Sequence, residues 1–506
     1  MVQLRSILAG LFILCILSSL THAQDDTATL DEYAMDTWAS LVAMHPSDYL
    51  LVADGMDEDG TPSQYTSPTN IASYIWSTIA ARDLSLITDA EAYDRVAHEL
   101  MAIQSLPRHL PSGQFYNWYS PVDGAVLTTW PHSTNVVCPF LSSVDNAWLA
   151  VALTVVTQAI PELASEARQI LESMRFDFYY DAGAGLFYGG YWPSEIQPQG
   201  VGCDSGFTGH HYGVLNSETR IISYIGIALG QVPPAHYFKL ARTFPDTCDW
   251  SWQEMQPNGE YVTYTVQSSL PSEPELSEPV AVFEGYYVYR EMNIVPSWGG
   301  AMFEALMSNL LVPEAEWGPQ SWGVNHPRFV QAQLEHGLHE AEYGYWGFSP
   351  ASDPHGGYRE YGVDPLGIDA NGYTSDATRT TVDYGFDDCP GRSIQSIPTS
   401  EQYVTGVVTP HASFLALEFA PEEALNNLLN LRNDFAIYNE DFGFYDSVQV
   451  SNGLVARRFL ALDQGMIMLA LANYLTDGEF RRYFADVIED AIRPLMQMET
   501  FGSFNG

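Results

Sequence analysis

The stretch Pro296-Ser297-Trp298-Gly299-Gly300-Ala301-Met302-Phe303-Glu304-Ala305-Leu306-Met307 joins an aromatic turn with paired glycines to an apolar helical run that has one carboxylate inside it. Gly299-Gly300 favours a sharp turn, and apolar side chains then recur from Ala301 to Met307 at helical spacing. A carboxylate in so apolar a helix is costly unless it is paired, hydrogen-bonded or used. Glu304 is therefore either an interhelical hydrogen-bond partner or a working residue.

The same arrangement, a helix entered through an aromatic loop, recurs in both directions. Ser67-Pro68 is an N-cap followed by proline in the first turn, with Ile71, Tyr74, Ile75 and Ile79 at helical spacing behind it. Ser142 and Asp145 form nearly a capping box ahead of Trp148, Leu149, Ala152 and Leu153. Further periodic segments begin near Asp31, Ala90, Pro161, Ser217, Ala235, Gly300, Pro327, His411, Pro421, Leu462 and Gly478. Between them lie loops rich in Gly, Pro, Trp and Tyr, such as Phe115-Tyr116-Asn117-Trp118-Tyr119 and Tyr343 to Tyr361. Alternating runs from Tyr261 to Val266 and from Val280 to Tyr289 flank an acidic insertion and predict a hairpin. No repeat of fixed length marks a solenoid. The expected fold is all-α: an (α/α)6 toroid of about six helical hairpins, with long aromatic loops and a small β-hairpin insertion.

Composition narrows the partners. The formal charge is −43, and Lys239 is the only lysine. Such a surface repels phosphate backbones, anionic lipid and anionic polysaccharide, which leaves neutral polymers. No nucleic-acid or membrane partner is expected, and a monomer is. Arg5, the apolar stretch from Ile7 to Leu20 and Thr21-His22-Ala23 read as a signal peptide over 1–23, cut near Ala23. The rest, 24–506, carries no linker or break in composition and is expected to be one exported catalytic domain, secreted or periplasmic. Cys15 leaves with the signal; Cys138, Cys203, Cys248 and Cys389 allow two disulfides in any of three pairings. Cysteine and histidine spacing gives no metal site. Asp57-Glu58-Asp59-Gly60 hints at calcium but lacks the remaining loop ligands and reads as a solvated turn. No cofactor is expected.

Aromatic residues make up 13% of the chain, many of them in Gly/Pro loops, which fits the flat faces that bind sugar rings as well as a large aromatic core. Glycosidic cleavage needs two carboxyl functions across an oxocarbenium-like transition state, one of them protonated. Three acids stand among apolar or small neighbours at predicted helix starts: Asp145, Glu218 and Glu304. Asp145 is alternatively a first-turn cap, and Glu218 a helix-start acid paired with Arg220.

Pro296 to Met307 also resembles a signature of the glycoamylase-like hydrolases, a group with bacterial endo-β-1,2-glucanases and the transglycosylase domain of cyclic β-1,2-glucan synthases. Tyr65 to Ile71, Phe115 to Tyr119, Val144 to Trp148, Asn216 to Arg220 with Gly226 to Pro233, Tyr345 to Pro350, Thr409 to Ser413 with Phe419 to Glu422, and Leu462 to Gly465 agree in the same order. The resemblance implies an endo-β-1,2-glucanase with Glu218 as proton donor and inversion through a remote base. Asp387, Asp388 and Glu401 are the candidates for that base. The alternatives are a retaining transglycosylase or hydrolase with Glu304 as nucleophile, and a toroid that binds glycans without cleaving them. In each case Glu304 is expected to line the cleft, with Trp118, Tyr119, Asp145, Asn146, His211, Trp298, Trp322, Asn325, Trp346 and Tyr358 holding the sugars. Asn216 and His411 depart from the family pattern, and Met466 to Asn473 lacks an acid that relatives carry. These departures bear on linkage preference and on endo against exo action.

Overall fold

The computed structural model describes residues 26–198, 202–243, 257–267, 277–363, 366–368 and 406–505. The signal-peptide segment and the candidate bases Asp387, Asp388 and Glu401 lie outside them. The helices are α1 (26–43), α2 (Pro68–Asp83), α3 (Asp89–Ser105), α4 (Ser143–Ala159), α5 (Ala164–Leu171), α6 (Arg220–Ala228), α7 (Met302–Leu306), α8 (Glu314–Trp317), α9 (Trp322–Glu335), α10 (Pro410–Leu415), α11 (Pro421–Asp434), α12 (Ala461–Leu475) and α13 (Arg482–Met498).

Short polar side chains set several starts. Ser67 Oγ accepts from the Asn70 amide at 3.2 Å, and Ser142 Oγ accepts from the Asp145 amide at 3.3 Å. Each satisfies one of the donors that a first helical turn leaves free. The helices then divide by which faces they bury. α2, α4 and α12 are buried almost all round, which an apolar helix needs inside a bundle. α3 and α13 bury one face each. Contacts run in the order α10–α12–α2–α4–α6, while α3 packs on α2, α5 on α4 and α11 on α10. The result is a helix-rich inner layer with outer helices against it. One hydrophobic core runs through it from Leu30 to Phe501.

α12 and α2 approach closely because α12 carries Gly465. A Cβ there would lie 2.7 Å from that of Ser73, and the Trp76 indole donates to the Gly465 carbonyl at 3.2 Å.

The sequence reading needs correction at several points. Pro327 lies inside α9 rather than at its start. The segment from Ala235 is only a 3₁₀ turn, Pro234–Lys239, and α6 begins at Arg220, after the Ser217 turn. The all-α expectation also understates the loops, which fasten on one another by short strand pairs such as Leu141–Ser142 with Gly190–Trp192. Long buried loops must satisfy their backbone groups somewhere, and paired extended segments do so. The expected hairpin is present as Tyr261–Gln267 against Ser277–Phe283, with Tyr264, Val266, Val280 and Val282 on its buried face. Tyr287–Tyr289 instead pairs with Met292–Ile294. Among the described residues no helix is long and apolar enough to cross a membrane.

Cys138 and Cys203 form a disulfide across a sequence separation of 65 residues, joining the loop before α4 to the loop before α6. Cys248 and Cys389 lie outside the described residues. Chain-entropy cost for a loop of that size predicts a loss of about 4 kcal/mol when both Cys138 and Cys203 are changed to serine. Urea unfolding of the two forms, at matched pH, measures it.

Candidate active site

The first turns of α2, α4 and α12 and the turn before α6 converge on one cavity of about 890 Å³. From α2, Thr69 and Asn70 enter its wall; from α4, Asp145 and, one turn on, Trp148; from α12, Asp463. Helix N-termini carry partial positive charge and suit acidic side chains. Thr69 Oγ1 donates to Asp145 Oδ1 at 2.6 Å, and Asn70 Nδ2 donates to Asp54 Oδ1 at 2.9 Å.

Glu218 sits in the turn ahead of α6 and lines the cavity, with 9% of its surface exposed. The Trp148 indole N–H donates to its Oε2 at 2.6 Å. Burial pushes the Glu218 carboxyl well above the usual carboxylate range, and the neighbouring Glu304 pushes it further than the indole bond can pull it down. A carboxyl so placed favours its protonated form. Burial raises Asp145 as well.

What fixes that turn is a fully buried ionic network. Arg220 donates from Nε to Glu314 Oε1 at 2.7 Å and from a terminal nitrogen to Oε2 at 2.8 Å. The guanidinium also donates to the carbonyls of Ser217, Glu304 and Ala305 at 2.8, 3.0 and 2.8 Å, and lies 4.8 Å from the centre of the Trp322 ring. The Tyr224 hydroxyl and His326 complete the shell of Glu314. Burial raises the Glu314 carboxyl, but the charge and hydrogen bonds of Arg220, with His326, overcome this and bring it to about 2. Arg220 is thus engaged by Glu314, not by Glu218 as a simple helix-start pair would have it.

Glu304 stands beside Glu218 rather than facing it across the cavity. Its Oε2 accepts from Ser217 Oγ at 2.8 Å and from the Glu218 amide at 2.9 Å. Phe303 and Met307 line the cavity, and Glu304 between them is partly exposed. Burial raises its carboxyl against those two bonds.

Of the ten residues expected to hold sugar, Trp118, Asp145 and Tyr358 line the cavity. Five others are buried structural parts. The Tyr119 hydroxyl donates to the Pro107 carbonyl at 2.7 Å. Asn146 clamps the Phe115 backbone, and Asn325 does the same to Val295. Trp322 stacks on His326 within the Arg220 network, and Trp346 is 2% exposed and bonded through its amide to Asn427. Their aromatic or amide chemistry suited a sugar equally well; burial decides otherwise. His211 pairs with Asp181 at 3.1 Å and stacks on Tyr188, away from the cavity wall. Trp298 is 8% exposed and outside that wall.

The comparisons with known proteins agree with this picture. Residues 265–485 match the glycoamylase family model, described as "Putative glucoamylase", and residues 34–184 match a family of unknown function, DUF3131. The cyclic β-(1,2)-glucan synthase of Rhizobium meliloti is 26% identical over 391 residues, 74% of this chain. The chain spans only 11% of that protein's length. Over these stretches the chain is similar to the glycoamylase-like glycoside hydrolases. Its fold is shared with the endo-β-1,2-glucanase of Chitinophaga pinensis, at 13% identity and TM-score 0.59, covering 95% of this chain and 98% of that one. It is shared also with the endo-β-1,2-glucanase of Talaromyces funiculosus, at 12% identity and TM-score 0.60, covering 95% and 90%.

The cavity also holds residues that sequence reasoning did not single out as site residues: Asp54, Tyr65, Trp130, Arg458 and Asp463. Tyr65, Trp118 and Trp130 make a mutual edge-to-face cluster with ring centres 5.2–5.7 Å apart. Asp463 lay inside a quoted segment, Leu462 to Gly465, and its place in a predicted first turn was the available signal. Asp54 had none, since it sits in a loop fixed by tertiary contacts. A separate groove of about 680 Å³, lined by Glu418, Glu479 and Arg481, gathers no comparable group of buried acids.

Removing one partner of a buried ion pair leaves the other uncompensated. Glu314→Gln is expected to cost about 3–5 kcal/mol of stability, measured by denaturant unfolding at pH 7. Because the folded carboxyl titrates near 2, the contribution of Glu314 is complete above its unfolded value near 4.5 and is lost as pH falls toward 2. The gap between wild type and variant should therefore narrow across that window.

Proposed function

We propose that this protein is an exported glycoside hydrolase that cleaves a neutral glucan, β-1,2-glucan foremost, within the chain and with inversion, on an (α/α)6 toroid. The observation that carries the reading is Glu218: a carboxyl held in the wall of a roomy cavity by the Trp148 indole, with burial keeping its proton in place. Both solved relatives named above are endo-β-1,2-glucanases, and the curated relative makes a cyclic β-1,2-glucan.

In this mechanism the glucan lies across the cavity with aromatic faces of the Tyr65, Trp118 and Trp130 cluster against its rings. Glu218 donates its proton to the departing glycosidic oxygen as the bond to C1 breaks, and water attacks C1 from the opposite face. The engagement of Glu304 Oε2 by Ser217 and by the Glu218 amide supports a holding role for Glu304 rather than that of a nucleophile. The chain would then invert, not retain. A strongly acidic surface does not oppose an uncharged substrate.

The test is to incubate the protein with linear β-1,2-glucan and a panel of other glucans, following product length and the anomer first released by NMR. Wild type should give short β-1,2-oligosaccharides of inverted configuration. Glu218→Gln should lower kcat by roughly 10² or more while binding persists. The raised Glu218 carboxyl predicts a sign for the pH profile: activity requires the protonated form, so it persists above the ordinary carboxylate range and falls as pH rises through that carboxyl. Intact glucans across the panel would sink the hydrolase reading. Retained configuration would restore Glu304 as nucleophile.

A further inference from the structure

The first turn of α12 delivers Asp463 to the cavity wall, and Asp446 lies next to it outside that wall. Both are 3% exposed. Asp446 Oδ2 accepts from the Ser352 amide at 2.7 Å, whereas Asp446 Oδ1 and Asp463 Oδ2 have no hydrogen-bond partner among the described residues. His411 completes the group, with ligand-capable atoms of all three within 4.8 Å of one another. Its Nδ1 is 3.4 Å from Asp463 Oδ2 and is shared with Thr409 Oγ1 at 2.8 Å. Burial brings the His411 imidazole down to about 4, so the ring is neutral where the acids are not both protonated.

Two dry carboxylates cannot both ionise side by side without a cation. Shared ownership of one proton satisfies both oxygens that otherwise lack a partner and leaves a single negative charge on the pair. We propose that Asp463, with Asp446 as its proton-sharing partner, is the group that takes up the proton of the attacking water. This rests on the hydrolase reading above and names the acceptor that reading requires.

The step balances. Oxygen of water bonds to C1, directly or with a substrate hydroxyl passing the proton on, and the C1–O bond to the leaving sugar breaks with its electron pair on oxygen. Glu218 supplies the proton to that oxygen, and Asp463 receives the one released by water. Exchange with solvent then resets both. Asp446 touches no substrate and acts as a positioning residue by donating to Asp463.

The other groups around the pair fix what its titration reports. Asp54, held by Asn70 and neighboured by Arg458, adds negative charge near Asp463. α2 presents the uncharged Thr69 and Asn70, α10 the neutral His411, and the loop strand Tyr358–Arg359 the Tyr358 hydroxyl, with Glu360 beyond it. Burial, opposed by the bond to Asp446, brings Asp463 to about 7, and Asp446 goes well above its ordinary range.

The experiment compares Asp463→Asn, Asp446→Asn, Asp446→Leu and Glu218→Gln on the glucan that wild type cleaves, with kcat/KM taken across pH. Asp463→Asn should lose about 10²-fold or more in kcat. Asp446→Asn, which still donates a hydrogen bond, should keep the acidic limb in place. Asp446→Leu, which cannot, should move that limb to higher pH by about one unit. An infrared difference between wild type and Asp446→Asn, which needs no turnover, should show loss of a protonated-carboxyl band at neutral pH. The proposal is overturned if Asp463→Asn keeps more than about a tenth of wild-type kcat, or if Asp446→Leu leaves the limb unmoved. It is overturned too if Asp446→Asn lowers the limb, the mark of two ionised acids. Activity abolished by a chelator and restored by a divalent cation would also sink it and make the cluster a metal site. An inactive Glu218→Gln beside an active Asp463→Asn overturns this inference alone, whereas an active Glu218→Gln overturns the hydrolase reading beneath it.

Discussion

The pair of Arg220 and Glu314 is the constraint on which the site depends. A guanidinium fully removed from water must spend its donors on fixed acceptors, and here these are one bidentate carboxylate and three backbone carbonyls. Two of those carbonyls belong to the Glu304–Ala305 segment and the third to Ser217. A single side chain therefore ties the turn before α6 to α7, and Glu304 closes the loop by accepting from Ser217 and from the Glu218 amide. The turn has almost no freedom left. Glu218 projects from it to the cavity wall, where the Trp148 indole holds it.

Such a mounting is costly, since buried ion pairs seldom repay their own desolvation. Its value lies in geometry. A proton donor serves only if it stays within hydrogen-bond reach of the leaving oxygen, and a flexible turn would lose that. The inner helices add the second half of the arrangement. α2, α4 and α12 bring their first turns to one end, where caps and small polar residues leave room for acids. That shared end becomes a cavity lined by carboxyls, while the middle turns are spent on core packing.

How much of this the sequence discloses depends on the range of the interaction. Ser67-Pro68 and Ser142 marked helix starts because capping is chemistry among neighbours, and both starts stand within a residue of where they were placed. Glu218 was legible because a lone acid between small residues ahead of an apolar run is unusual. The assignment of Asn146, Trp322, Asn325 and Trp346 to sugar fails for the opposite reason. An amide that clamps a distant backbone and an indole that roofs an arginine look the same in sequence as ones that face a ligand. Only burial separates them, and burial is a property of the whole chain. Asp446 shows the same limit. Its neighbours Tyr445 and Ser447 give no hint of Asp463, because the pair exists only once the strand at Ser447–Gln449 and α12 are both in place.

The extreme negative charge bears on the chemistry as well as on solubility. Surface acids in water are screened within about 8–10 Å at ordinary ionic strength and act weakly on one another. Groups in the cavity wall are screened less, and there neighbouring carboxyls act on one another. Such neighbours add to burial in the same direction at Glu218, Asp463 and Asp446, whereas at Asp145 burial alone raises the carboxyl. On the proposed hydrolase reading, an acid-rich cavity tolerates an uncharged substrate and at the same time favours the protonated form of the general acid.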